Sequence, residues 1–288
     1  MSFIYSVAFF LQALLTPGSH RVDGKYIHRV PSHKEKIAVL DPVINESSGL
    51  TYVSDSSNYF LTLNDSGGKP EVYAINDKGV LIQTFPIKDA RNYDWEEVAN
   101  YTDTLKQLHI LIGDIGNNKN QRRDLCIYDY IIASDHTLKH RFAYEDQTSF
   151  PPSEDSMNYD CEAFFRRDSS YYVISKNRSK GDVKLYRLSQ DTTAHTAVII
   201  QGIRFKGMVT ACSHYTDPIS KEEQLAVLTY GRLFFFHIKT NGDSIVLIPI
   251  GLRSFPAAGQ TEGICWVNAK ELLMTNEKGK LFRIRIKR

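Results

Sequence analysis

Five times along this chain a three-part phrase returns, and nothing else narrows the possible folds as far. The phrase opens with a small or acidic residue ahead of an apolar run: Ser48-Gly49-Leu50, Glu96-Glu97-Val98, Glu162-Ala163-Phe164, Thr210-Ala211-Cys212 and Glu262-Gly263-Ile264. A second apolar run then ends in a distinctive pair, namely Asn64-Asp65, Gly113-Asp114, Ser175-Lys176, Thr229-Tyr230 and Asn276-Glu277. Each phrase closes on an aromatic in a short strand: Tyr73, Tyr128, Tyr186, Phe236 and Phe282. Opening positions 48, 96, 162, 210 and 262 are 48, 66, 48 and 52 residues apart. Periods of that size built from short strands belong to radial or stacked repeats, and the leading candidate is a β-propeller.

The segments between turns support an all-β chain. Runs of 4–8 residues rich in Tyr, Phe, Val and Ile, such as 59–63, 108–112 and 225–229, alternate with Asn/Asp/Gly/Ser turns, and sustained helical periodicity is lacking. The last repeat stops after its third strand at Arg288, while two strand-like runs, 24–30 and 36–40, precede the first full repeat. One of these N-terminal strands is therefore expected to complete the final blade, which removes exposed sheet edges. The expectation is a single propeller of four-stranded blades over residues 20–288. Five blades are favoured, and six are possible where a degenerate repeat hides. The long second interval carries a polar insertion, Ser149 to Asn158.

A formal charge of +2 over 288 residues gives no nucleic-acid footprint. Ser2 to Leu15 is nearly all apolar, too short to span a membrane comfortably, and followed by Thr16-Pro17-Gly18-Ser19. Residues 1–19 thus read as a signal peptide, which places the mature protein in the periplasm or outside the cell without an integral membrane segment. A buried N-terminal strand or helix is the other reading. Cys126 falls in an outer strand, and Cys161, Cys212 and Cys265 adjoin opening motifs, so all four are expected as buried thiols. No C-x-x-C or Cys/His metal pattern occurs.

In a propeller, the start of the innermost strand and the end of its antiparallel neighbour lie at one mouth of the axial channel. Here those places hold Glu46, Asp94, Glu96, Asp160, Glu162 and Glu262 from strand starts, and Asp65, Asp114, Lys176 and Glu277 from strand ends. Carboxylates converging on one mouth repel unless they are protonated or share a cation. Oxygen-only donors without His or Cys point to a hard cation, Ca²⁺ before Mg²⁺. The competing reading makes each acid a staple that bonds a neighbouring blade's N–H groups. Glu96, Glu162 and Glu262 share one repeat position, and Asp94 and Asp160 share another. Arg122 and Arg123, after the Gly113–Asn118 loop, are suited either to an anionic group at the mouth or to pairing with acids. Lys176 suits either an axial Glu or a ligand. His214 is the one histidine near an opening motif, and no G-x-S-x-G elbow or Ser-His-Asp order points to an acyl-enzyme.

Taken in order, Glu46-x-Ser48-Gly49-Leu50, Asn64-Asp65, Asp94-Trp95-Glu96, Asp160-Cys161-Glu162-Ala163 and Gln260-Thr261-Glu262-Gly263-Ile264 resemble the SdiA-regulated-type propellers. They are similar also to the phytase-like esterase propellers and, more distantly, to the gluconolactonase/strictosidine-synthase propellers. The resemblance runs from about Glu46 to Glu277. It implies a propeller, often six-bladed in the wider group, and an axial Ca²⁺ site that carries over onto Glu46, Asp94, Glu96, Glu162 and Glu262. The fourth repeat departs from the pattern at Thr210-Ala211. Activity does not carry over with the fold. Two functions stand side by side: a Ca²⁺-occupied mouth that binds a small-molecule or protein ligand, and a Ca²⁺-dependent phosphoesterase or lactonase-like hydrolase. In the second, Glu162 or Glu262 is the base, and Arg122 or Lys176 stabilises the developing anion. A scaffold whose acids are only staples is the third.

Overall fold

The computed structural model describes residues 21–54, 58–179, 181–189, 194–255 and 258–287. The apolar segment 2–15, the adjoining 16–19 and Arg288 lie outside the described residues. A short hairpin, β1 (Arg21–Val22) and β2 (Lys25–Tyr26), and then β3 (Ser32–Val39) lead into the repeats. Blade one comprises β4 (Ser47–Val53), β5 (Tyr59–Asn64), β6 (Glu71–Ile75) and β7 (Leu81–Pro86). Blade two comprises β8 (Trp95–Thr102), β9 (Leu108–Asp114), β10 (Cys126–Ile131) and β11 (His136–Tyr144). Blade three is β12 (Cys161–Arg167), β13 (Ser170–Ser175), β14 (Val183–Leu188) and β15 (His195–Ile203). Blade four is β16 (Val209–Thr216), β17 (Glu223–Thr229), β18 (Arg232–Asn241) and β19 (Ser244–Ser254). The fifth four-stranded unit is β20 (Thr261–Asn268), β21 (Glu271–Asn276) and β22 (Lys280–Ile286), completed by β3 in antiparallel register from Lys280↔Val39 to Ile286↔Ser32. The run 36–40 thus supplies the closing strand, while residues 28–30 run along β19 through Val30 N–H donating to Leu252 O (2.8 Å). Blades two and three also join at their outer edges, where β11 and β15 pair in parallel over three residues.

The core consists of apolar layers between neighbouring blades. Ile110 and Ile112 of β9 face blade one, whereas Leu111 faces blade three. Likewise Leu225 and Val227 of β17 face blade three, and Ala226 and Leu228 face blade five. Side chains alternate between faces, and both faces are covered, so these strands read as unbroken apolar runs. The closing aromatics explain themselves in the same way. Tyr73, Tyr128, Tyr186, Phe236 and Phe282 each sit on a third strand, one per layer, packed against the preceding blade. The four cysteines are free and buried. Burial pushes their thiols up, Cys126 and Cys161 to about 12, so they act as apolar groups.

Each inner strand breaks register at the opening motif: between Ser48 and Leu50, Trp95 and Glu97, Cys161 and Ala163, Val209 and Ala211, and Thr261 and Gly263. A bulge sets two residues against one and re-aims their side chains. The repeat recognised in the sequence is therefore a ring of bulges at one end of the channel. In blade one Gly49 occupies the bulge with φ +74°. A Cβ there would lie 2.6 Å from Val98 N, so only glycine fits.

Candidate functional site

The backbone fixes where the acids stand. Asp65 N–H donates to Glu46 O (3.0 Å), Lys176 N–H to Asp160 O (2.8 Å) and Glu277 N–H to Gln260 O (3.0 Å). The same bond in three blades ties the residue after the second strand to the residue ahead of the first. The side chains of both positions consequently gather at one mouth.

Three of the mouth's cations are matched. Arg122 Nη1 lies 2.8 Å from Asp114 Oδ1, donates to Gly116 O (2.9 Å), and its Nε lies 3.1 Å from Asp124. Arg178 Nε donates to Asp160 Oδ2 (2.5 Å), whose Oδ1 accepts from Asn117 N–H (2.7 Å) and Cys161 N–H (3.1 Å). Lys176, buried, pairs with Glu162, and its ammonium lies 3.5 Å from Tyr230 Oη. Burial, together with the nearby Arg178, lowers the Lys176 ammonium below its ordinary value.

Among the described residues, five carboxyls remain without such a partner. Asp65, Asp94 and Glu96 bring one oxygen each within 4.8 Å of one another. Burial and then the neighbouring Asp65 push Asp94 up to about 7 and Glu96 well above its usual range. Asp65 itself is raised by burial. Across the mouth, Glu262 accepts from Tyr230 Oη–H (3.1 Å), and Gln260 Nε2 donates to Glu277 Oε1 (2.7 Å). Burial and the facing Glu277 raise Glu262 to about 7. Eight carboxyls thus share the mouth with three cations, and the surplus must hold protons or a cation.

The donors of the Asp65–Asp94–Glu96 group suit a hard divalent cation: three carboxylates, oxygen only, from two adjoining blades. The loop after β9 closes over them. A Cβ on Gly116 would lie 2.4 Å from Asp94 Oδ2 and from Glu96 Oε1, so the loop needs glycine to approach the carboxylates.

The expected ligand set is thus distributed over several roles. Asp94 and Glu96 come together. Glu162 faces Lys176, and Glu262 faces Tyr230 and Glu277. Glu46 is exposed and accepts at its carbonyl from Asp65. Asp65, the second residue of the Asn64-Asp65 pair, joins the group in their place; its signal was its position at a strand end. The staple role falls on Glu97, one residue past the shared acidic position. Its buried carboxyl accepts from Cys212 N–H (2.9 Å) and Val98 N–H (3.1 Å) and from the Leu50 amide, joining blades one, two and four across the axis. Burial lifts its pKa well above the ordinary value. His214 lies toward the far mouth, 3.1 Å from Glu223. The Ser149–Asn158 insertion is held at the rim, with Met157 N–H donating to Ser179 Oγ (3.1 Å) and Ser179 Oγ to Glu154 O (2.6 Å).

No helix among the described residues is long and apolar enough to cross a membrane. No family model and no curated protein sequence matches the chain. Among solved structures it is similar to the soluble aldose sugar dehydrogenase of Escherichia coli in its apo-form, with TM-score 0.50 and 8% identity over 89% of this chain and 100% of that one. A glucose dehydrogenase gives 0.49 and 7%, covering 89% and 99%. A protein assigned as a gluconolactonase gives 0.44 and 10%, covering 91% and 94%. At 8% identity the likeness to the first of these concerns the fold alone, and with the ring of four-stranded units closed by β3 the chain is a β-propeller.

Proposed function

We propose that this protein is an exported propeller whose acidic mouth holds Ca²⁺ through Asp65, Asp94 and Glu96 and binds a small-molecule or protein ligand there. The observation that carries the reading is the trio itself: three carboxylates within 4.8 Å, with no ion pair to any of them among the described residues. Oxygen donors from two blades, one of them on a loop end, favour the flexible coordination of Ca²⁺ over the strict octahedron of Mg²⁺. The order of motifs from Glu46 to Glu277 supports placing the chain with the SdiA-regulated-type and phytase-like propellers. Export rests on the apolar run 2–15, and N-terminal sequencing of the mature product tests it: a start before residue 15 would sink it.

A hydrolase reading has one specific observation in its favour. Glu262 is pushed to about 7, where a carboxyl serves as base near neutrality, with Tyr230 and Glu277 beside it. Bound Ca²⁺ would supply Lewis acidity toward a phosphoester or lactone oxygen. Arg122 and Lys176 would then have to leave Asp114 and Glu162 in part to meet an anion, whereas Glu262 is already poised.

Thermal melts in EDTA, Ca²⁺ and Mg²⁺ test the metal. A Ca²⁺-specific rise in melting temperature that is lost in Asp94→Asn is expected, because a cation bound only by the folded state adds its binding free energy to stability. Equal melts in EDTA and Ca²⁺ would overturn the reading. Turnover of phosphoester or lactone substrates that fails in Glu262→Gln would decide for the hydrolase.

A further inference from the structure

The inner strands run from the acidic mouth to a second one, and the two ends are closed from each other by Glu97. Below its carboxyl lies an axial cavity of about 90 Å³, whose walls include Val98, Phe164, Thr51, Asn100, Arg166 and Ser213. A buried water needs roughly 10–15 Å³ on the same measure, so there is room for several waters or one small organic ion. The cavity's exposed lining is mainly polar.

Arg166 is the one arginine on its wall. Its guanidinium lies 3.8 Å from the centre of the Tyr101 ring and bonds the Tyr171 side chain, and it makes no ion pair among the described residues. Neighbouring Arg167, by contrast, is spent on Glu223, with Nε and Nη2 both at 2.9 Å from its oxygens. An arginine whose guanidinium lies over a tyrosine ring can still offer N–H groups to a planar acceptor. The other polar groups fit the same partner. Ser213 Oγ accepts from Trp266 N–H (3.0 Å), which leaves its proton to donate. Asn100 spends its two amide hydrogens on Thr51 Oγ1 (2.8 Å) and Tyr52 O (3.0 Å), which leaves the Thr51 proton to donate as well. A fork and two hydroxyls on a mainly polar wall that also includes Val98 and Phe164 describe a receptor for a carboxylate with a short hydrocarbon tail.

We propose that this cavity is a binding site for a short-chain carboxylate, separate from the acidic mouth and independent of the Ca²⁺ reading. The carboxylate meets Arg166 and the hydroxyls of Ser213 and Thr51, and the tail points toward Val98 and Phe164. The acids facing the site do not oppose it. Glu97 is bonded away to three amides. Glu223 is held by Arg167 and by His214, which also lines the cavity.

The test is a titration of the full chain with propionate, read by saturation-transfer NMR, with propionamide and inorganic phosphate as comparison probes. Saturable propionate binding is expected, unchanged by EDTA and at least tenfold weaker in Arg166→Gln. Propionamide and phosphate should compete at least tenfold less well. Ala99→Leu, which fills the cavity while leaving every polar group in place, should abolish binding, and it decides the matter if Arg166→Gln does not fold. Binding that survives Ala99→Leu, equal competition by propionamide or phosphate, or no saturable binding at all would overturn the proposal.

Discussion

The two ends of one channel are built from the same five strands and have opposite chemistry. At the bulged end, Asp65, Asp94, Glu96, Asp114, Asp160, Glu162, Glu262 and Glu277 outnumber Arg122, Lys176 and Arg178. At the other end Arg167 and His214 meet Glu223, and Arg166 lies over Tyr101. In blades one to four the inner ladder runs on without further register shift toward that end. The difference teaches where a repeat fold can afford surplus charge. A bulge releases successive side chains from the pleat and sets several blades' acids around one point, where a cation or protons must gather. A regular ladder holds its charges in local pairs, as Arg167 does with Glu223.

Glu97 divides the two ends, and removing it should break the comparison with the largest effect. Glu97→Ala strands the buried amides of Leu50, Val98 and Cys212, each costing about 1–3 kcal/mol when unpaired. A loss of roughly 4 kcal/mol is expected in urea denaturation, with Glu97→Gln much milder because its carbonyl oxygen still accepts. A change under about 1 kcal/mol in Glu97→Ala would show that blade packing alone holds the axis.

Much of this was legible in the sequence because it repeats. The opening motifs marked the bulges, the closing aromatics marked the third strands, and the missing fourth strand of the last repeat marked the closure by β3. The division of labour among the acids was not legible, because it is decided by partners from other blades. Glu162 and Glu96 occupy one repeat position, yet only Glu162 has a lysine opposite it, from the Ser175-Lys176 pair. Asp94 and Glu96 stand two residues apart and converge, but Asp65 enters from the neighbouring blade. Glu97 was hidden by the bulge itself, since simple alternation would have turned it away from the axis. The far cavity left no motif, because equivalent positions of the repeat carry unlike residues there: Asn100 and Arg166 stand at one repeat position in different blades, and Ser213 comes from a third.

A smaller effect should separate the ends by pH. Asp94 and Glu262 have folded pKa values raised to about 7. Protons therefore bind the folded state more tightly than the unfolded one. Their stabilising contribution is fully present below the unfolded value, about 4, and is lost as pH rises to about 7. In EDTA the melting temperature should fall from pH 5 to pH 8 by several degrees. Ca²⁺ should remove that fall, because a cation takes the place of the protons. A melting temperature that rises over this range in EDTA would contradict the surplus of unpaired carboxyls.

The smallest effect belongs to the far end, and it has the opposite sign. The hydrogen bond from His214, with the Arg167 fork, holds the Glu223 carboxyl down at about 2, below its usual range. A depressed carboxyl stabilises the fold above its unfolded value, about 4, and the benefit disappears as pH falls toward 2. Arg167 and Glu223 are 20% and 18% exposed at their side chains, so water screens the pair and its contribution is discounted accordingly. Arg167→Met should cost under about 1 kcal/mol at pH 7, with no dependence on Ca²⁺. The deficit should shrink toward pH 3, the reverse of the trend at the acidic mouth. Because His214 stays in place, NMR titration of the variant should show Glu223 raised above its present value but still below an ordinary glutamate. A deficit that grew on acidification, or one that Ca²⁺ relieved, would mean that the two ends are coupled through the axis and that Glu97 does not insulate them.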